Sequence, residues 1–392
     1  MINSMISEEF IGRFGISYKD EKTVYAYDEI THGLYELQLD FRKVNLVIPS
    51  KYIPQNMNNR FRGISKNGNE IILIPTFLDS EWIFYNLEEK IVRYQSLVKD
   101  KIRISDVVTI GKTLFLIPSD IYNPIVIVSY ENEKKVNIYN DWFDNDELKP
   151  EICDIWGASF YDHIIVFPII NSKQTVYIKN NEITIVENKI PYPILSVCIY
   201  ENNIWILPVS GEKIYSVDFK GDIVEEIKLS IEGMNISASD FIRIIVTEEN
   251  VFLLPTQGKN ILVYQYKENQ IVQLKEEGTC LPGKLFVPSD ITYWDYIIEN
   301  KVMHLLPSGV RLKSIDLISL KNIEYTLQYG DNIDSDVYWK MITTVQRNYI
   351  FNENEERDSD LNEFLEFLDH LFIDSSKKAS LKNGRKIWNS IW

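Results

Sequence analysis

The chain has 392 residues, 45% of them hydrophobic, and carries 57 acidic against 41 basic side chains for a net charge of −16. That is ample apolar material for a core, while the negative field excludes a general binder of nucleic acid or of anionic membranes. A cationic or neutral partner is expected instead.

In chain order, residues 1–9 show no basic segment followed by an apolar one, so no signal peptide is expected. No apolar run approaches the ~18 residues of a membrane span. Cys153, Cys198 and Cys280 form no CxxC pair and leave an odd thiol, which favours a reducing compartment. The expected location is the cytoplasm, and the abundance of Ile, Asn, Lys and Tyr hints at an AT-rich bacterial genome.

The first structured unit reads as strands at 23–27, 34–39 and 44–47, with Asp28 closing the first of them. A second unit spans strands at 63–65, 71–74, 82–86 and 91–94, and here Pro75 ends the apolar run. Apolar runs at 114–117 and 164–167, ended by Pro118 and Pro168, mark the third and fourth units. The fifth is the plainest: 194–200, then an all-apolar run at 204–207 before Pro208, an alternating segment at 213–219 and a hairpin onto 223–227. An all-apolar strand is covered on both faces, and an alternating one meets water on one side. Residues 241–246, 251–254, 261–266 and 271–274 repeat the pattern around Pro255, and 302–306, 311–317 and 323–327 do so around Pro307.

The six prolines lie 43, 50, 40, 47 and 52 residues apart. Proline cannot donate to a sheet ladder, so it stops pairing at the end of a buried strand. Four strands per unit, lettered A to D with B the most buried and D the outermost, at a period of roughly 40–50 residues, resemble the blades of a β-propeller. That resemblance implies an all-β fold of four-stranded antiparallel blades over residues 1–352. It extends to architecture only, because no WD dipeptide ends the C strands and no kelch Gly-Gly doublet opens the B strands. A solenoid would have shorter coils, and two stacked sandwiches need no sevenfold pattern. Seven blades are expected, with six or eight as the alternatives, since 337–351 reads as a further A–B pair that either closes the ring or begins another blade.

Residues 353–392 change character. Leu361, Phe364, Leu365, Leu368, Leu371 and Phe372 recur at helical spacing, and Lys377, Lys378, Lys382, Arg385 and Lys386 precede a terminal Trp388 and Trp392. This short helical extension either packs on the propeller or docks into a protein partner.

For chemistry, no Walker A, GxGxxG, HExxH or GxSxG motif occurs. No cofactor is expected, and no metal site, because no two of the four histidines share ligand spacing. His304 falls inside a B strand and reads as a core residue, whereas His32 lies in a B–C connection and is a site candidate. An aspartate recurs near the start of strand A as Asp106, Asp154, Asp240, Asp290 and Asp336. Propeller architecture puts D–A and B–C loops on one face, so these could ring the channel mouth, although such aspartates often serve as turn caps. The long D–A connections are aromatic: one runs through Asp141, Trp142, Phe143 and Asp144 to Trp156, and two others lead to Trp294 and Trp339. Trp142 and Phe143, flanked by acids, are expected to be exposed. Acids beside aromatics suit sugars, cationic side chains or peptides. The leading expectation is a non-catalytic recognition or scaffold module for a peptide, protein or glycan. The alternative is a hydrolase, lyase or cyclising transferase using Asp106, Asp240, Asp290 and Asp336 as acid or base, with Arg60 or Arg62 as electrophile.

Overall fold

The structure is a computed structural model, and the residues it describes are 9–10, 14–20, 23–28, 31–39, 42–53, 61–130, 135–143, 154–231, 233–234, 236–256, 260–274, 293–307, 311–330 and 333. After a short β1 (Glu9–Phe10) the chain builds blade 1 from β2 (Phe14–Asp20), β3 (Thr23–Asp28), β4 (Gly33–Gln38) and β5 (Lys43–Ile48). Blade 2 is β6 (Phe61–Asn67), β7 (Glu70–Pro75), β8 (Trp82–Asn86) and β9 (Val92–Gln95). Blade 3 is β10 (Ile104–Ile110), β11 (Thr113–Pro118), β12 (Ile125–Ser129) and β13 (Lys135–Tyr139). Blade 4 holds β14 (Ser159–Tyr161), β15 (Ile164–Pro168), β16 (Gln174–Lys179) and β17 (Glu182–Glu187). Blade 5 holds β18 (Ile194–Tyr200), β19 (Asn203–Pro208), β20 (Lys213–Val217) and β21 (Ile223–Lys228). Blade 6 comprises β22 (Phe241–Val246), β23 (Asn250–Pro255), β24 (Ile261–Gln265) and β25 (Gln270–Leu274), and blade 7 comprises β26 (Tyr293–Glu299), β27 (Val302–Pro307), β28 (Arg311–Asp316) and β29 (Asn322–Tyr329). The protein is a seven-bladed β-propeller.

Burial explains the strand types. The B strands are almost wholly buried, as in β15 and β23, whereas outer strands such as β21 are mostly exposed. Side chains interdigitate between neighbouring blades rather than within one. Val108, Phe115 and Ile117 of blade 3 meet Ile165, Phe167 and Val176 of blade 4, and Cys198, Trp205 and Leu207 of blade 5 meet Ile244, Val251 and Leu262 of blade 6. Each fully buried Leu or Ile contributes on the order of 1.5–3 kcal/mol.

Blade 1 lacks the proline for a visible reason. Asp28 is fully buried, and its Oδ2 accepts from the Thr31 backbone N–H at 2.9 Å and from Thr31 Oγ1 at 2.6 Å. The carboxylate thus ends the strand and caps the turn after it. Blades 7 and 1 are direct neighbours: the Lys19 ammonium donates to the carbonyl of Ile298 at 3.2 Å, β1 runs antiparallel to β29, and β29 runs parallel to β5 through Gln328–Lys43 and Tyr329–Val44. The ring therefore closes at seven without a further A–B pair between these blades. Residues 337–351 and the expected helical extension at 353–392 lie outside the described residues.

Candidate functional site

The antiparallel order places the start of every A strand on the face that carries the D–A and B–C loops. There the A strands share one irregularity. In six blades one extra A-strand residue is inserted against the B strand, between Phe14 and Ile16, Phe61 and Gly63, Ile104 and Asp106, Ile194 and Ser196, Phe241 and Arg243, and Tyr293 and Asp295. Blade 4 has it too: from the Ile155–Ile169 bridge to the Ser159–Val166 pair, four A-strand steps oppose three. A bulge re-aims the residue that follows it. The equivalent positions around the ring are Ile16, Gly63, Asp106, Gly157, Ser196, Arg243 and Asp295. Four are small or apolar. Three are charged, and these three form the candidate site.

Each carboxylate is held by its own strand and by the next blade. Asp106 Oδ1 accepts from the Val107 N–H and Oδ2 from the Ala158 N–H of blade 4, both at 2.8 Å. Asp295 Oδ1 accepts from the Tyr296 N–H at 2.9 Å, and its Oδ2 accepts from Ser17 Oγ of blade 1 at 2.5 Å. Arg243 Nη1 lies 3.7 Å from Asp295 Oδ1, with side-chain exposures of 20% and 25% for the pair. The guanidinium carbon sits 5.9 Å from the Trp156 ring centroid and 5.8 Å from that of Tyr296, within cation–π range.

Burial pushes both carboxyls above the ordinary range. For Asp106 the Ala158 and Val107 N–H groups and the Arg243 charge oppose that rise; for Asp295 the Arg243 charge is the largest opposing influence, followed by Ser17. Burial also raises the Tyr296 phenol strongly and the Cys198 thiol nearby. Among the described residues no group of His, Cys, Asp and Glu side chains is arranged to hold a metal ion.

The expected site residues distribute as follows. Asp106, Arg62 and Trp156 share the bulge level, Arg62 and Trp156 being the first bulge residues of their strands. Trp294 takes the same backbone position in blade 7. The recurring aspartates do not form one ring. Asp154 and Asp240 precede the bulge, their carbonyls accepting from Ile170 and Thr256, which is the place of Arg103 in blade 3. Asp106 lies three residues further on. Asp240 is a cap: its Oδ2 accepts from the Ser237 N–H at 3.0 Å in a capping box around a 3-10 turn, Ala238–Asp240. His32 bonds through Nδ1 to the Tyr27 hydroxyl at 2.8 Å, in a left-handed turn with φ 52°.

The exposure expected of Trp142 is corrected. Its ring is 8% exposed, stands edge-on to Phe167 at 6.1 Å, and its Nε1–H donates to the Asn123 carbonyl at 2.9 Å. The indole fills the seam between blades 3 and 4 because that seam offers both apolar neighbours and an acceptor. Phe143 packs against it at 5.6 Å, half-buried, while Asp141 is exposed. Arg60, Asp144, Asp290, Asp336 and Trp339 lie outside the described residues. Among the described residues the exposed aromatics in loops of this face are instead tyrosines, Tyr122 at 79%, Tyr192 at 41% and Tyr52 at 40%.

Sequence reading missed Arg243, Asp295, Tyr296 and Ser17. The available signal was the triplet of apolar anchor, spacer and channel residue, as in Ile104-Ser105-Asp106, Phe241-Ile242-Arg243 and Tyr293-Trp294-Asp295.

Fold and site together define a seven-bladed propeller with a charged, aromatic-walled channel mouth. No protein-family model matches the sequence. No curated protein matches it either. Solved structures do share the fold. A catalytically inactive virginiamycin B lyase from Staphylococcus aureus with quinupristin aligns with a TM-score of 0.55 at 11% identity, over 78% of this chain and 94% of that one. The computationally designed protein Ika8 aligns at 0.52 and 10% identity, over 83% and 92%. PorZ of the Porphyromonas gingivalis type-IX secretion system aligns at 0.50 and 11% identity, over 81% of this chain and 38% of that one. At such identities the likeness is one of fold. Among the described residues no helix is long and apolar enough to cross a membrane.

Proposed function

We propose that the protein is a recognition module that binds a peptide, protein or glycan on the D–A/B–C face, centred on the channel mouth. One observation carries this reading: Asp106, Arg243 and Asp295 converge beside the rings of Trp156 and Tyr296, with both carboxylates fixed by hydrogen bonds from neighbouring strands. Fixed donors and acceptors next to aromatic surface are what specific recognition needs, because little ordering remains for the ligand to impose. The rim tyrosines Tyr122 and Tyr192 extend the same face.

Peptide and glycan arrays probed with the full-length chain test this, alongside an Asp106→Asn/Asp295→Asn variant checked for an unchanged circular dichroism spectrum. Ligands retained by the wild type and lost by the variant support the channel mouth. Equal retention by both moves recognition off this site.

A second reading is an enzyme of the hydrolase, lyase or cyclising-transferase type. It is favoured by the upward displacement of the two carboxyls beside an arginine, since acid–base groups need displaced pKa values. Mass spectrometry of a captured ligand separates the two: an unaltered mass after long incubation removes the enzymatic reading.

A further inference from the structure

We infer that the channel mouth takes the free C-terminal end of a peptide whose last residue is lysine or arginine. This rests on the recognition reading above and adds the chemistry of the ligand's end. Arg243 carries it. A guanidinium presents five N–H donors in a planar fork. Among the described residues the Arg243 fork donates no hydrogen bond, and its ion pair to Asp295 at 3.7 Å is beyond hydrogen-bond length. The rings of Trp156 and Tyr296 lie against the guanidinium. What remains is the edge of the fork, the direction from which an arginine takes a carboxylate with two parallel bonds.

A lone anion is disfavoured, because two carboxyl groups already stand at this site with the single Arg243 guanidinium. A ligand that brings its own cation removes that obstacle. Asp106 can receive it, since each of its oxygens accepts a single backbone N–H and an ionised carboxylate oxygen has room for another donor. Asp106 stands on blade 3 and Arg243 on blade 6, near enough for the guanidinium charge to act on the Asp106 carboxyl. A cation on a flexible stem, as in lysine or arginine, can reach Asp106 while the carboxylate stays on Arg243, and such apolar stems run well along aromatic rings. The carboxylate and the long cationic side chain meet on one α-carbon only at a chain's C-terminus, which is also the part of a peptide that can enter a channel end-on.

Fluorescence anisotropy with the full-length chain tests this. The probes are N-terminally fluorescein-labelled Gly-Ser-Gly-Gly-Lys as the free acid, the same peptide as its C-terminal amide, and a free acid ending in glycine. The lysine free acid is expected to bind at least about tenfold more tightly than either of the others, as for loss of one charge-assisted bidentate contact. Arg243→Gln is expected to level acid and amide, and Asp106→Asn to narrow the gap between lysine and glycine. The wild-type comparison stands by itself should a variant fold poorly. Equal binding of acid and amide overturns the inference. So does binding of none of the three while another peptide, protein or glycan binds the face, a result that leaves the recognition reading intact; an array that captures nothing removes both.

Discussion

Gly63 shows how closely neighbouring A strands approach around the channel. A Cβ at this position would lie 2.3 Å from Val107 Cγ2 and 2.5 Å from Val107 Cβ in blade 3. The equivalent residues Asp106 and Asp295 use the same approach for hydrogen bonds to the next blade. Gly63→Ala is therefore expected to destabilise the protein by about 1–3 kcal/mol through overpacking. Urea unfolding measures this, and Val107→Ala in the same chain should recover only part of it, because the Val107 Cβ remains in the way; a Gly63→Ala chain as stable as wild type would show that the strands can part freely. The two carboxyls of the ring carry a pH signature of opposite sense to that of Asp316 at the surface. Burial raises the Asp106 carboxyl from its ordinary 3.8, so the folded state keeps that proton to higher pH than the unfolded chain does. Its contribution to stability is full below the ordinary value and is lost as pH rises through the raised one. Asp316, held low by the Ser319 N–H and hydroxyl, works the other way: its contribution is present above 3.8 and is lost as pH falls. Asp106→Asn lacks the first slope, so its stability relative to wild type should improve as pH rises above the ordinary 3.8 through the raised value. Denaturation midpoints across that range that keep a constant difference would contradict the raised carboxyl.

At the scale of elements, the turn after β3 makes the point that one blade can replace a repeated residue without losing its geometry. Six B strands end in proline, and the seventh ends in an aspartate that accepts two hydrogen bonds from Thr31. Removing that acceptor leaves the Thr31 groups, also fully buried, without it. Asp28→Ala is expected to cost on the order of 2–4 kcal/mol, two buried hydrogen bonds at roughly 1–2 each, read as a lower urea midpoint with an unchanged slope. A loss under about 0.5 kcal/mol would mean that water takes over the turn. Asp28 was legible in the sequence because it occupied the proline's place in a period already visible at Pro75 and Pro118. The bulge was not. Its extra residue shows only when the partner register is known, since Ile104 pairs with Pro118 while Asp106, two residues on, pairs with Ile117. Without that register the aspartates at 106, 154 and 240 look alike, although one faces the next blade and another caps a turn. Trp142 escaped for a related reason. Its acidic neighbours suggested a wet loop, but burial was decided by the Asn123 carbonyl of blade 3 and Phe167 of blade 4, both distant in sequence.

At the scale of the whole molecule, each interface between blades is a separate apolar cluster, and the seam between blades 7 and 1 is built like the others, from Phe14, Val24 and Leu37 against Ile297, Leu306 and Leu312. The polar additions at that seam, Ser17 to Asp295 and Lys19 to Ile298, put a site residue at the place where the ring closes. The proposed recognition site is thus tied to ring closure, and the field of the entire chain acts on whatever approaches it. A net charge of −16 draws cations toward the protein over distances that salt controls. The screening length is about 30 Å at 0.01 M ionic strength and about 8 Å at 0.15 M. For a peptide ending in lysine, the association rate should fall on the order of tenfold between those two conditions, with the dissociation rate nearly constant, because steering acts on encounter and short contacts act on residence. A neutral glycan, carrying no charge for the field to act on, should show no such dependence. Stopped-flow measurement of both rate constants at the two ionic strengths therefore sorts the ligand classes by physics alone. A lysine-ended peptide whose association rate ignores salt would mean that the acidic surface lies too far from the channel mouth to steer it, leaving only the contacts of Asp106, Arg243 and Asp295 to account for binding.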